Sequence, residues 1–181
     1  MRNRGVLNLV LAALFAALIS AGAFITVPIG PVPFVLQNFF TLLSGLVLGP
    51  FLGAAAVGLF IAAGAIGVPV FSNNGTAMGI ARLMGPTGGF YAGYLLGAFV
   101  AGLVVGVPRQ TEKIKAWRFA LAAALGLLVV YIPGLIRLKF FLGTWPKTFG
   151  AGFFPFLIGD AVKGAVAVLI TPRLRKLGIR N

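Results

Sequence analysis

The stretch LNLVLAALFAALISAGAFITV, residues 7–27, decides the fold class, because it is apolar over the length of a membrane-spanning helix. It lies in a longer region, from Gly5 to Ala81, that contains no Asp, Glu, Lys or Arg. A spanning helix needs roughly 20 mostly apolar residues, so this region has room for three spans and short connections. A cleaved signal peptide would be shorter and followed by a polar chain. The region therefore predicts an all-α integral membrane protein.

Further apolar runs continue to the end of the chain and predict six transmembrane helices in a single domain, residues 1–181. The first five spans cover about residues 7–27, 35–49, 51–67, 90–107 and a run that starts near Trp117 and weakens at Arg137. The sixth covers about residues 152–170. The second span is short, and Gly49-Pro50 ends it, because proline lacks the N–H that a continuing helix needs.

The placement of the charges predicts the orientation. The chain has 15 Lys and Arg against 2 Asp and Glu, and the basic residues lie mostly at the ends of apolar runs. With both termini cytoplasmic, ten of them fall on the inner side, four fall outside, and Lys163 lies within a span, as the positive-inside rule requires. We therefore expect a multi-pass protein of the cytoplasmic membrane, in contact with the lipid bilayer. The same placement argues against nucleic acid as a partner.

The residue inventory excludes most catalytic chemistry. Cysteine and histidine are absent, which removes thiolate nucleophiles, imidazole bases and the usual transition-metal ligands. No phosphate-binding G-x-x-x-x-G-K-[ST] loop occurs. We predict that the chain is not an enzyme and has no catalytic residue, metal site or cofactor. It could bind a solute, but energy for transport would have to come from partner proteins or an ion gradient.

The sixth predicted span contains the acidic residue Asp160, followed three residues later by Lys163. Residues three apart lie on one helix face, so the two side chains should be neighbours. An ionisable group inside the membrane is costly and by default marks a functional site, although a purely structural ion pair is the alternative. If the helix enters from the outer side near Gly152, Asp160 lies about 12 Å deep.

Other polar residues could join this pair. The proline-rich segment Val27–Phe34 and the turn-rich segment Asn73–Arg82 would face outward above it. Arg82 adds a second cation, and Asn73, Asn74 and Gln37 add amides, which suits a small ligand that carries N–H groups and a carboxylate. The alternatives are turn formation for the asparagines and interhelical hydrogen bonding for Gln37.

Small residues recur at every fourth position in two predicted helices. Gly89, Gly93, Gly97 and Ala101 form one such stripe, which we interpret as helix packing within the monomer. Ala13 and Ala17, continued by Ala21, form the other, which could equally contact another protein subunit.

Three long segments resemble the BioY family, the biotin-binding S components of energy-coupling-factor (ECF) vitamin transporters. They are VPIGPVPF at residues 27–34, running into Gln37, then LMGPTGG at 83–89 and FPFLIGDAVK at 154–163. ALFAAL at residues 13–18 is similar to the A-x-x-x-A surface of S components. The resemblance implies the six-helix S-component fold, with the whole chain as one transmembrane substrate-binding domain.

It also implies biotin as the transported ligand, contacted by Asp160, Lys163, Arg82 and one of Asn73 and Asn74. The implied partners are a transmembrane coupling protein and two cytoplasmic ATPases, with Ala13 and Ala17 on the contact surface. An S component for another small vitamin, a stand-alone ion-coupled carrier and a non-transporting scaffold subunit are the alternatives. Two cations against one carboxylate favour an anionic ligand over cationic thiamin.

Overall fold

The computed structural model of the protein describes residues 4–27, 32, 34–71, 78–108 and 114–178. Helices dominate this part of the chain. In order, the elements are α1 Arg4–Phe24, β1 Thr26–Val27, β2 Phe34–Val35, α2 Gln37–Leu48, α3 Pro50–Ala65, α4 Ile80–Met84, α5 Gly88–Val105, α6 Ala116–Leu142, α7 Trp145–Gly152 and α8 Leu157–Gly178. The two short strands pair antiparallel, Thr26 with Val35 and Val27 with Phe34. The two strands lie between α1 and α2 in the chain. They are a small exception to the prediction that the protein is all-α.

The outward-facing surface of the bundle is apolar. Large hydrophobic side chains such as Ile66, Phe140, Ile158 and Leu169 are each at least 75% exposed. Soluble proteins rarely expose contiguous apolar surface on this scale, whereas lipid tails solvate it without cost. The distribution supports the predicted membrane environment.

Each predicted span corresponds to one helix, but not all of these helices are long enough to cross a bilayer. By length and composition, α1, α5 and α6 qualify, and α7 with α8 adds a fourth span if that bent pair counts as one. The helices α2 and α3 have only 12 and 16 residues. Within the part of the chain that the structure describes, this criterion supports three or four spans, against the six expected.

The predicted start of the sixth span is wrong. We expected a helix from about Gly152, but α7 ends at that residue and a turn over residues 153–156 precedes α8, with a bend of 46° between the two helices. Pro155 lies in the turn, where its missing N–H and fixed φ oppose a continuous helix. Asp160 therefore lies in the first turn of α8 and not about two turns inside a helix.

The predicted break between the second and third spans is confirmed. Gly49 separates α2 from α3 with a φ of +85°, a left-handed conformation that favours glycine, and Pro50 is the first residue of α3. The chain therefore reverses within one residue.

The glycine stripe of α5 packs within the monomer, as predicted. A Cβ atom on Gly89, Gly93 or Gly97 would lie within 2.6 Å of a backbone oxygen of α6, so only glycine permits this approach. Ala101, the fourth member, is fully buried. The two helix backbones are thus in van der Waals contact, which is how apolar helices associate in lipid.

The core of the bundle contains two apolar clusters, one toward each end. One contains Ala12 of α1, Leu48 of α2 and Val105 of α5, with Leu174 of α8 packed against it. The first half of α1 and the last half of α8 therefore share one end of the bundle. The other cluster, which includes Tyr131 and Phe156, lies toward the opposite end and surrounds a cavity.

Arginine side chains fix the ends of several helices. Arg137 of α6 donates to the carbonyl oxygens of Gly85, at 3.1 Å, and Met84, which holds the turn between α4 and α5. Arg175 lies within α8 and is buried. It donates to Leu46 O at 2.8 Å and to Gly106 O, satisfying carbonyls at the ends of α2 and α5.

Candidate functional site

A cavity opens among α2, α5, α6 and α8, beside α4. Small-molecule sites are typically concave and mostly apolar, with a few polar groups that fix the orientation of the ligand. The wall of this cavity is largely aromatic, and its polar side chains converge from several helices. The lining residues are Val32, Val35, Gln37, Asn38, Arg82, Thr87, Phe90, Tyr91, Tyr94, Val130, Tyr131, Gly152, Phe156, Asp160 and Lys163.

Asp160 and Lys163 form the predicted ion pair on one face of α8. Lys163 Nζ lies 3.1 Å from Asp160 Oδ1, and both side chains are less than 10% exposed. Burying such a pair costs desolvation energy that the Coulomb attraction repays only if further hydrogen bonds satisfy both groups. The surrounding residues supply those bonds.

Three donors from three helices reach the Asp160 carboxylate. Besides Lys163, Asn38 of α2 donates from Nδ2 to Oδ1 at 2.7 Å, and the Tyr131 hydroxyl of α6 donates to Oδ2 at 2.5 Å. A carboxylate has about four acceptor positions. The described residues fill three of them, which leaves one position on Oδ2 for a further donor.

The Lys163 ammonium also has hydrogen-bond acceptors other than Asp160. It donates to Val35 O at 2.8 Å and to Asn38 Oδ1 at 2.9 Å, in addition to Asp160. These three acceptors match the three protons of the group. A direct bond from Lys163 to a ligand would therefore have to replace one of them.

The aromatic ring of Phe34 covers the same ammonium group. Lys163 Nζ lies 3.6 Å from the ring centroid, a close cation–π contact. The ring also stacks on Phe156, with centroids 6.2 Å apart. The strand β2 thus meets the ion pair through both the Phe34 ring and the Val35 carbonyl.

Arg82 and Gln37 bring unused hydrogen-bond donors to the cavity. Both side chains are buried, and among the described residues neither Arg82 Nε nor Gln37 Nε2 has a hydrogen-bond partner. Buried donors without partners are rare and need an explanation. A ligand that accepts hydrogen bonds, such as a carboxylate, would supply it.

The structure brings together four of the six predicted ligand-binding residues: Asp160, Lys163, Arg82 and Gln37 all line the cavity. Asn73 and Asn74 lie outside the described residues, so their contact with a ligand stays a prediction. The segment Val27–Phe34, expected above the ion pair, contributes to the site through its described residues. Val32 lines the cavity, and Phe34 covers Lys163.

Ala13 and Ala17 lie on the exposed face of α1, together with Ala21, whereas their neighbours Ala12 and Ala16 are buried. The exposed alanines do not line the cavity. Their surface is available to a partner, and the partner-binding role stays a prediction.

Two residues of the site were not predicted from the sequence. Asn38 follows Gln37 in an otherwise apolar run. An amide inside the membrane needs a hydrogen-bond partner within the protein, so Asn38 could have been predicted as a site residue. Tyr131 carries no such signal, since a tyrosine in an apolar helix is ordinary. Its role depends on α6 crossing α8 at Asp160.

These features define a class of protein: a helical membrane protein that holds a small solute in a cavity near one end of the bundle. The polar groups offer one carboxylate acceptor position and two cationic side chains, which suits a solute with both an N–H donor and an anionic group. Aromatic side chains would cover its apolar part.

Comparison with known proteins assigns the family. Residues 1–180 match the model of the BioY family. The biotin transporter BioY of Thermotoga maritima is 43% identical over 174 residues, 96% of this chain and 99% of the relative. A probable biotin transporter BioY of Pyrococcus horikoshii is 45% identical over 165 residues, 91% of this chain and 94% of the relative.

A solved structure agrees with the sequence matches. The crystal structure of the S component for biotin from an ECF-type ABC transporter superposes with a TM-score of 0.83 and 31% identity, over 97% of this chain and 94% of that one. The chain belongs to the BioY family. The predicted resemblance and the S-component fold are confirmed, and so is the expectation of a transport component in place of an enzyme.

Proposed function

We propose that this chain is a biotin-binding S component that mediates biotin uptake across the cytoplasmic membrane. The observation that carries the proposal is the buried Asp160–Lys163 pair, hydrogen-bonded from α2 and α6 and facing a cavity, in a chain of the BioY fold. An ion pair inside the membrane is costly and by default marks a functional site.

The chemistry of biotin fits the cavity. Its ureido ring carries two N–H donors, and the remaining acceptor position of Asp160 Oδ2 takes one of them. Its valerate chain ends in a carboxylate, and Arg82 is a cation with an unused donor for that group. Gln37 adds a neutral donor beside it. Lys163 acts on the ligand through Asp160, or directly if the ligand displaces one of its present acceptors.

The membrane topology belongs to the same proposal. Six helices cross the bilayer, with α2 and α3 as short spans, and both termini are cytoplasmic. The proposal is supported by the shared end of α1 and α8 and by the excess of basic residues that this orientation places inside. The cavity then opens toward the outer face, where the substrate arrives.

Energy for uptake comes from partners. The sequence has no phosphate-binding loop, so we assign ATP hydrolysis to two cytoplasmic ATPase subunits and the mechanical link to a transmembrane coupling protein. The exposed alanine stripe Ala13, Ala17 and Ala21 is the contact surface for that protein, because small side chains allow a partner helix to approach closely.

A biotin titration of purified protein tests the proposal. Biotin should raise the melting temperature of the wild type in a concentration-dependent way, because a ligand that binds only the folded state stabilises it. Asp160→Asn and Lys163→Ala should each weaken binding by at least about tenfold, the scale of one charge-assisted hydrogen bond. Size-exclusion chromatography of each variant verifies that it is folded.

The outcomes separate the alternatives. Stabilisation by thiamin or riboflavin in place of biotin would assign another vitamin. No stabilisation by any of the three would favour a scaffold role. Gradient-driven uptake into proteoliposomes that contain this chain alone would identify an ion-coupled carrier.

A further inference from the structure

The contacts around Asp160 single out two residues whose part in recognition is indirect. Asn38 and Tyr131 both donate to the carboxylate, from helices on either side of α8. Neither is identified by the charge pattern of the sequence. We infer that Asn38 and Tyr131 are positioning residues, which hold Asp160 so that its last acceptor position faces the ligand's N–H group. The inference rests on the proposed function.

Asn38 has the more specific geometry, because its amide joins both members of the ion pair. Its Nδ2 donates to Asp160 Oδ1 at 2.7 Å, and its Oδ1 accepts from Lys163 Nζ at 2.9 Å. Only an amide presents a donor and an acceptor in this arrangement, since a carboxylate would repel Asp160 and an aliphatic side chain would leave both groups unsatisfied. The amide orientation is therefore fixed by its two charged neighbours.

Tyr131 donates a hydrogen bond to the second carboxylate oxygen of Asp160. Its hydroxyl lies 2.5 Å from Asp160 Oδ2, a distance typical of a strong bond to an ionised acceptor. The ring packs edge-on against Phe90 and Phe153, which restricts its rotation. The hydroxyl thus fills one acceptor position of Oδ2 from a fixed direction and leaves the other for the ligand.

This hydrogen-bond network makes Asp160 specific for a ligand group that donates a hydrogen bond. With Oδ1 filled by Asn38 and Lys163 and Oδ2 half-filled by Tyr131, Asp160 cannot turn to meet a ligand that offers an acceptor or a second anion. A ligand without an N–H group would leave a buried acceptor position empty, which costs binding energy. The carboxylate end of the ligand lies outside this network.

A double-mutant cycle with Asp160→Asn tests the inference, with biotin affinity measured by calorimetry on monodisperse protein. Tyr131→Phe removes only the hydroxyl and should weaken biotin binding by about tenfold, the scale of a hydrogen bond to a charged group. In the Asp160→Asn background the same change should have little further effect, because the carboxylate that it positions is gone. Asn38→Leu, similar in shape, should weaken biotin binding at least as much, and it is measured in the wild-type background because it also removes an acceptor from Lys163.

A second ligand separates an effect at the ureido end of biotin from an effect at its carboxylate end. Biotin methyl ester keeps the ureido ring and lacks the charged carboxylate, so Tyr131→Phe should reduce its affinity by the same factor as that of biotin. The matched control is Thr171→Val, which removes a buried hydroxyl that donates to its own helix, at Ala167 O, and should bind both ligands like the wild type.

Three outcomes would overturn the inference. They are wild-type affinity of Tyr131→Phe, additive losses in the cycle, and a loss for biotin that the methyl ester does not share. All three leave the proposed function standing as long as the wild type binds biotin. Failure of the wild type to bind biotin would instead refute the proposed function.

Discussion

Gly159 is the residue at which the structure makes its sharpest prediction about the site. It precedes Asp160, and a Cβ atom at this position would lie 2.2 Å from Cε2 and 2.6 Å from Cζ of Phe34. The substitution Gly159→Ala must therefore displace the Phe34 ring. That ring covers the Lys163 ammonium at 3.6 Å, so the displacement changes the environment of the ion pair without altering either charged residue.

The expected effects on stability and on binding have different causes. The clash falls on the edge of a side chain and not on backbone, and alanine favours the helix over glycine by up to about 1 kcal/mol. The cation–π contact that is lost contributes about 2 kcal/mol to the folded protein, so the free energy of unfolding should fall by about 1 kcal/mol. Biotin binding should weaken by about tenfold, or about 1.4 kcal/mol, because the displaced ring no longer holds the Lys163 ammonium against Asp160 and a hydrogen bond to a charged group is misaligned.

The assay is calorimetric titration with biotin, alongside thermal unfolding in the absence of ligand. Gly150→Ala is the matched control, because a Cβ atom there meets nothing within 4 Å and its affinity should equal that of the wild type. Phe34→Leu removes the ring directly and should lower the affinity by a similar factor. Combining Phe34→Leu with Gly159→Ala should add little. The reasoning is refuted if Gly159→Ala binds biotin as tightly as the wild type, or if the two losses add.

Two further predictions concern other parts of the molecule. Ala13→Trp or Ala17→Trp should leave biotin binding unchanged but abolish co-purification with the coupling protein. The control Leu169→Trp, at another exposed position, should retain the complex. Retained assembly in the alanine variants would contradict the assigned surface. Arg175→Ala should lower the free energy of unfolding by about 3 kcal/mol, because carbonyls at the ends of α2 and α5 lose a charged donor. Biotin affinity of the folded protein should not change, and an unaltered melting temperature would count against this role.

Some of the site can be predicted from the sequence because a charge inside an apolar run has few explanations. Asp160 and Lys163 are identified this way, and their spacing of three is enough to place them on one helix face. Arg82 and Gln37 were predicted as a second cation and an amide that could join the pair, and both line the cavity. Asn38 could have been included, since a buried amide needs a partner. Tyr131 could not, because its spacing from Asp160 in the chain carries no information about contact.

The bounds of the helices show a second limit of prediction from sequence. The chain is apolar on both sides of Pro155, and hydropathy averaged over a span does not register a four-residue turn. The interpretation of residues 152–170 as one helix therefore missed α7 and moved Asp160 into the interior of a span. The end of α2 was predicted correctly, because Gly49 and Pro50 mark the break directly in the sequence.

The sequence by itself determined the membrane environment, the long helices, the absence of an ATPase loop and the presence of one intramembrane ion pair. All of these depend on composition and local spacing, which the chain displays directly. Only the tertiary structure decided which side chains complete the site. Helices α2, α6 and α8 meet at Asp160 only in the folded bundle, where side chains distant in the chain come into contact. Asn38 and Lys163, for example, are more than 100 positions apart.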